Sequence, residues 1–326
     1  MKSNMQLNDL SIIIPTFNRY DRLIKILDYL NKSPGIEEVN RIVVLDNATP
    51  GKNFLDIPVD IRNRKNLEYI KNQNNLGLSG NLIKCFESCQ TKWMWILGDD
   101  DVPNLKTLKN LKDYNYDYIN FSSHIFQRQR NLKGKGLSSF VSNLDNYSNC
   151  LFISASIYKV SKFRKHLQYG INNAKSLAPH IPILLRGMKD GSTYAFLSEK
   201  LIDEDKNSIP SWHITEQSLS FASIPTLDFI ISSGLSKELF KKMTINEIHP
   251  IYLYISVLKY SEEKKIKQTD IGSIFKKCIS ERYLYSSRKI KIIANSIHLF
   301  QSLFPKVLWI IFQKINKMGV LDNIRS

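Results

Sequence analysis

At 326 residues, 43% of them hydrophobic and 23% charged, the chain is long enough to bury a full α/β core and too ordinary in composition to be disordered. Its net charge of +16 is uneven: from Lys237 to the C-terminus there are 17 Lys+Arg against 7 acids, so +10 of the excess sits in that tail. Such an excess seeks anions (nucleic acid, acidic lipid head groups or a phosphorylated substrate), and no run of about 20 apolar residues exists that would span a bilayer.

Met1 to Asp9 is polar and leads directly into a strand, which is not the pattern of a secretory leader, so a cytoplasmic protein is expected. Cys85, Cys89, Cys150 and Cys278 form no CxxC pair and read as reduced, packed thiols. Strand and helix signals then alternate. Ser11-Ile-Ile-Ile-Pro15 is a β-branched run, and Asp21 to Leu30 follows with apolar residues at helical spacing. Arg41 to Asp46 is a second buried strand ending at a carboxylate, Leu67 to Ile70 a third. Ser79 to Cys89 reads as a helix, and Trp93 to Leu97 as the fourth strand, with both of its tryptophans assigned to the core. This alternation predicts an α/β fold with a mostly parallel sheet and right-handed crossovers. Polar residues then gather along one sheet edge: Thr16 to Arg19, Asp46-Asn47, Asn74-Asn75 and Asp99 to Asp101.

Further on, Tyr118 to Phe121 reads as a strand, Arg128 to Gly136 as a basic mobile loop, and Leu151 to Tyr158 as a strand returning to the sheet. Pro179 to Gly187 reads as a helix with Pro182 in its first turn, where proline is tolerated. A strand is expected over Thr193 to Phe196. Beyond about Trp212 the pattern is helical, with amphipathic segments at Ile251 to Tyr260, Ile271 to Tyr285 and Lys289 to Phe300. The expected organisation is a catalytic domain over 1–210 and a basic helical region over 211–326.

The strongest chemical signal is Trp93-Met-Trp-Ile-Leu-Gly-Asp-Asp-Asp101, an apolar strand that stops at a glycine and presents three carboxylates. Adjacent acids repel one another, so a fold keeps them together only when something positive neutralises them. At the carboxyl end of a strand in an α/β sheet, where ligands gather, hard oxygen ligands of this kind suit magnesium or manganese. Neither GxxxxGK[ST] nor GxGxxG occurs, so side chains and a metal, not a glycine cradle, are expected to hold a diphosphate.

Four blocks occur in order: Ser11-Ile-Ile-Ile-Pro-Thr-Phe-Asn-Arg19, Val43-Val-Leu-Asp-Asn47, Asn74-Asn-Leu-Gly77 with Asn81, and Trp95-Ile-Leu-Gly-Asp-Asp-Asp101. Together they resemble the family 2 glycosyltransferases, and the resemblance covers about residues 9 to 205. It implies a GT-A fold, a nucleotide-sugar donor, a divalent cation (Mn2+ or Mg2+) and an inverting displacement. The Leu-Gly-Asp-Asp-Asp form and Phe152-Ile-Ser-Ala-Ser-Ile157 look most like abequosyltransferase-type enzymes of O-antigen and capsule assembly. Carried over by position, Pro15, Thr16, Asn18, Arg19, Asn75 and Asn81 border the nucleotide, and Asp46 accepts hydrogen bonds from base or ribose. Asp99 lies near the ribose and beside the metal, Asp101 ligates the metal, and Asp100 shares either role.

An inverting transfer also needs a base for the acceptor hydroxyl. Where many family members carry a Glu-Asp pair this chain has Pro179-His180, which makes His180 the expected base and Asp203-Glu204-Asp205 the runner-up. His213 and His249 read as structural, and Trp212 as a loop residue able to meet a sugar. In the tail, Arg288 to Ile293 and Ile297 to Phe312 combine basic and apolar residues broken by Pro305, a pattern that suits either lying on a membrane surface or a pair of helices packed on the catalytic domain. That placement fits a polyprenyl-linked saccharide acceptor, which the resemblance implies, and nucleic acid is not expected as a partner. Two other readings compete. A sugar nucleotidyltransferase usually carries a glycine- and basic-rich loop after its first strand, whereas Thr16 to Arg19 has no glycine. A non-catalytic basic module would have no need of Asp99 to Asp101.

Overall fold

The computed structural model describes residues 4–123, 127–145, 147–203, 224, 227–243, 250–263, 265–282 and 288–317. The chain divides into two compact units, Met1–Ser208 and Ile209–Ser326.

The first unit is built on strands β1 (Leu10–Thr16), β2 (Arg41–Asp46), β3 (Leu67–Lys71), β4 (Trp93–Ile96), β5 (Val102–Pro103), β6 (Tyr118–Ser122), β7 (Leu132–Lys135), β8 (Ser156–Lys159), β9 (Thr193–Lys200) and β10 (Ile202–Asp203). Eight of them form one sheet in the order β3-β2-β1-β4-β8-β6-β9-β7, while β5 and β10 make a separate antiparallel pair. Within the large sheet β3, β2, β1 and β4 are mutually parallel, as are β6 and β9; β8 runs antiparallel to β4 and β6, and β7 antiparallel to β9. The result is the mixed, mostly parallel α/β sheet that the alternation of signals predicts.

The central strands are apolar runs because both their faces are covered. Ile12, Ile13 and Ile14 of β1 and all four residues of β4, including Trp93 and Trp95, are fully buried. The helix Tyr20–Asn31 packs Leu23, Ile26, Leu27 and Leu30 inward, at helical spacing. The helix Gly77–Ser88 does the same with Leu82, Cys85 and Phe86. Cys85, Cys89, Cys150 and Cys278 are buried thiols, with no disulfide among them.

Two expectations need correction. The strand expected over Leu151 to Tyr158 is only β8; before it come a helical turn, Tyr147–Leu151, and a 3-10 turn, Ile153–Ala155. β-propensity yields there because Ser154 is drawn out of the ladder by partners across the chain: it meets Gly98, Asp101 and Trp95. The basic stretch Arg128 to Gly136 is in part the edge strand β7, and Arg128 is buried. Its guanidinium ion-pairs with Asp145, donates to the Asn120 side chain at 2.6 Å and lies 4.8 Å from the Phe196 ring. A buried arginine paired in this way anchors a segment.

The second unit, among the described residues, is helical: Asp228–Ile231, Ser236–Met243, Pro250–Glu263, Gln268–Arg282, Arg288–Leu303 and Pro305–Lys317. Its core joins Leu253, Val257, Ile271, Phe275, Cys278 and Ala294, with Ile290, Ile297, Leu308 and Trp309 packed against them. Among the described residues, no helix is long and apolar enough to cross a membrane.

Candidate functional site

The carboxyl ends of β1, β2 and β4 lie side by side because their registers match Thr16 with Asp46 and Ile13 with Ile96. Beyond Thr16 the chain turns through Asn18, whose φ of 56° is left-handed, a conformation asparagine tolerates better than most residues. The turn is held by the Asn18 amide donating to Thr49 Oγ1 at 2.9 Å. It delivers Arg19 to the start of the helix Tyr20–Asn31, directly over the end of β4.

The three carboxylates after β4 occupy different surroundings. Asp99 is buried; it accepts from Thr16 Oγ1 at 2.7 Å and pairs with Arg19 at 2.9 Å. Asp100 is partly exposed and takes two guanidinium groups, Arg19 at 3.1 Å and Arg22 at 2.9 Å. Asp101 has no cationic partner among the described residues; its Oδ2 accepts from Ser154 Oγ at 2.5 Å. Ser154 Oγ in turn accepts from the Gly98 amide at 2.9 Å, and the Ser154 carbonyl accepts from Trp95 Nε1 at 2.8 Å. Gly98 is required by this fold-back, since a Cβ there would collide with the Asp101 carboxylate.

Burial governs the charge state of this turn. It pushes Asp99 up to about 6 against the opposing pull of Arg19 and the Thr16 hydrogen bond. It pushes Asp101 up to about 7, with the neighbouring carboxylates Asp100 and Asp99 adding to it and Ser154 opposing. Asp101 is therefore a half-buried acid lacking a counter-charge among the described residues, the environment a hard divalent cation would satisfy. No cluster of three or more His, Cys, Asp or Glu side chains able to hold a metal occurs among the described residues. Asp101 thus fits magnesium or manganese in the mode where one or two carboxylates share the ion with substrate phosphates and water.

The other expected residues fall into two groups. Pro15 and Thr16 end β1, and Arg19, Asp99 and Asp100 form one ion-paired cluster with Thr16. Asp46, Asn75 and Asn81 belong instead to a polar network on the β2–β3 side. Asp46 is fully buried, with Oδ1 accepting from the Thr49 amide and Oδ2 from Tyr69 Oη. Tyr69 Oη also lies 2.6 Å from Tyr20 Oη. Asn75 Oδ1 accepts from Asn47 and from the Gly77 amide, and Asn81 Oδ1 accepts from Asn72. These groups pin the strand-end loops, and the expected direct contact of Asp46 with a base or ribose is at odds with a carboxylate that has no solvent-exposed oxygen.

His180 also departs from its expected role. It begins the helix His180–Lys189 and is buried, with Nε2 3.2 Å from the Cys150 carbonyl. Burial pushes its pKa down to about 4 despite the Cys150 and Leu151 backbone groups. A ring shut away from solvent cannot meet an acceptor hydroxyl. Asp203 is placed differently: in the β5–β10 pair it lies opposite Val102, one residue past the acid triplet, and is exposed. Glu204, Asp205, Trp212, His213 and His249 lie outside the described residues. Two members of the cluster, Arg22 and Ser154, were missed by sequence reasoning. The spacing of Arg19 and Arg22, three apart at a helix start, was a usable signal for the first; nothing local marked the second. A cavity of about 460 Å³ lined by Asp9, Arg41, Gln90 and Lys92 opens at the opposite edge, near the strand starts, away from this chemistry.

Residues 11–169 match the model of the family described as glycosyl transferase family 2. No curated protein matches the chain. Among solved structures it is similar to TarS 1–349 of S. aureus, at 13% identity and a TM-score of 0.53 over 95% of this chain and 91% of that one. The same TarS fragment in complex with UDP superposes at 14% identity and a TM-score of 0.54, again over 95% and 91%. The acid turn after β4, the parallel β3-β2-β1-β4 half-sheet and these likenesses agree: the chain has a GT-A fold, and its residues 11–169 are similar to the family 2 glycosyl transferases.

Proposed function

We propose that the first unit transfers a hexosyl or deoxyhexosyl residue from a nucleoside diphosphate sugar to a saccharide acceptor, with inversion at the anomeric carbon. The observation that carries this reading is the asymmetry of the acid turn: Asp99 and Asp100 are neutralised by Arg19 and Arg22, while Asp101 keeps a raised affinity for positive charge. Asp101, oriented by Ser154, is the residue that would hold a divalent cation. When bound, such an ion supplies Lewis-acid stabilisation of the charge that gathers on the departing diphosphate. Arg19 and Arg22, with side chains 40% and 42% exposed, are free to face the phosphates while still screening the carboxylates below them. Pro15, Thr16 and Asn18 border the nucleotide beside the acid turn, and Asp46, Asn75 and Asn81 hold that border from behind.

The base that accepts the acceptor proton is placed on Asp203, which combines exposure with a position beside the acid turn. The likeness to abequosyltransferase-type enzymes supports an O-antigen or capsule acceptor on a polyprenyl diphosphate, and hence a protein working at the cytoplasmic membrane surface. A panel of UDP-, GDP-, CDP- and dTDP-sugars, assayed for donor hydrolysis with and without Mn2+, tests the reading. One donor class is expected to turn over with metal and not with chelator, and Asp101→Asn to abolish it. Absence of hydrolysis with every donor, in a protein that binds no nucleotide, overturns it.

A further inference from the structure

The last two helices of the second unit carry two apolar faces where a packed helix needs one. On Arg288–Leu303, Ile290, Ala294 and Ile297 face the core of the unit, and Gln301 beyond them is buried against Tyr254. Two residues further round the helix, about 200° away, run Ile292, Leu299 and Leu303, which are 56%, 60% and 62% exposed. A second exposed line adjoins this one, about 100° round the helix, and runs on past Pro305. The Phe304 amide donates to the Phe300 carbonyl and the Leu308 amide to the Phe304 carbonyl, so the helical ladder is nearly unbroken there. Phe300, Phe304, Val307 and Ile311 therefore recur at spacings of four, three and four, all of them 44–47% exposed. The Phe300 and Phe304 rings touch, with centroids 5.1 Å apart. Leu308 and Trp309 turn the other way, onto the core.

Along these two helices the charge has one sign. Between Arg288 and Lys317 the chain carries Arg288, Lys289, Lys291, Lys306, Lys314 and Lys317, and no Asp or Glu. Lys306 and Lys314 are exposed on the same helix as Val307 and Ile311. We infer that this face docks on an anionic lipid bilayer, the helices lying in the plane of the interface with Leu299, Leu303 and the Phe300–Ile311 stripe inserted and the lysines at the head groups. An apolar stripe edged by basic residues is the pattern that binds such a surface. A second copy of this chain would bring like charges together across the contact, and neither helix is able to span the membrane. The inference sharpens the membrane placement proposed above by naming the surface, and it rests on that placement alone, not on the transfer reaction.

The test is co-sedimentation of the full chain with phosphatidylcholine vesicles, with and without phosphatidylglycerol, in the absence of donor and metal. Binding to the phosphatidylglycerol vesicles is expected, weakening as salt is raised. Leu299→Asn/Leu303→Asn and Lys306→Gln/Lys314→Gln are each expected to weaken it by about tenfold or more. All four side chains are exposed, so unchanged far-UV dichroism and melting temperature serve as the folding control. The inference is overturned by absence of vesicle binding, by binding that both double variants retain, or by self-association without lipid that Leu299→Asn/Leu303→Asn removes. Because no donor enters the assay, its failure is distinct from a failure of sugar transfer.

Discussion

Two strand ends flank the carboxyl end of β1, and each presents an aspartate in very different company. On the β2 side, Asp46 is enclosed by neutral donors, the Thr49 amide and the Tyr69 hydroxyl, and its network continues to Tyr20. On the β4 side, Asp99, Asp100 and Asp101 crowd one turn, and burial still lifts Asp99 and Asp101 after Arg19, Arg22, Thr16 and Ser154 have acted. A satisfied carboxylate stabilises a fold; a carboxylate held at a cost is one that another charge can stabilise. On the function proposed above, the same sheet edge divides into a scaffold half and a working half, although both read alike as polar residues at strand ends.

The comparison breaks most visibly at Asp101. Asp101→Asn is expected to lower turnover by more than about 10²-fold with little loss of melting temperature, because the carboxylate's own folded-state burial is unfavourable. Equal loss of folding and activity would put Asp101 in the scaffold half. Ser154→Ala comes next: removing the hydroxyl that orients Asp101 is expected to weaken metal affinity about 10–100-fold, read by Mn2+ titration, while the nucleotide alone binds as before. On the scaffold side, Tyr69→Phe leaves a buried carboxylate oxygen short of a donor and should cost about 1–3 kcal/mol in denaturant unfolding. Its effect on turnover is expected to follow stability.

His180 supplies the smallest expected effect on turnover at pH 7, and a stability effect whose sign can be checked. Its folded pKa is depressed to about 4, so the unfolded chain binds the proton more readily. Stability contributed by the neutral ring is present above about 6.5 and is lost as pH falls toward about 4, with a slope approaching 1.4 kcal/mol per pH unit. His180→Gln is expected to flatten that acid limb in chemical denaturation and to leave transfer at pH 7 within a few-fold. A loss of turnover beyond about a hundredfold at unchanged stability would restore the histidine as the base and remove Asp203 from that role.

Much of the fold was legible because its first half is built from local signals. Four apolar strands, the helix after Arg19 and the Gly98 turn each announce themselves within ten residues. Those same segments carry Thr16, Arg19 and Asp99 to Asp101, so the ion-paired cluster at the candidate site was legible with them. What escaped depends on partners far along the chain. Ser154 leaves its expected strand to serve a turn 53 residues away, and Arg128 is buried by Asp145, Asn120 and Phe196. Asp203 gains its position by pairing with Val102 and by accepting a hydrogen bond from Asn104, 99 residues away. The roles assigned to Asp46 and His180 rested on sequence position, which does not record whether a side chain ends up open to a ligand.

Calorimetric titration of a nucleoside diphosphate into the wild-type chain and into Asp101→Asn, each with Mn2+ and with chelator, reaches the working half most directly. Tight binding that needs both the metal and Asp101, and that strengthens as pH rises through about 7 where Asp101 gives up its proton, is the predicted result. Binding of equal strength in all four arms would contradict it.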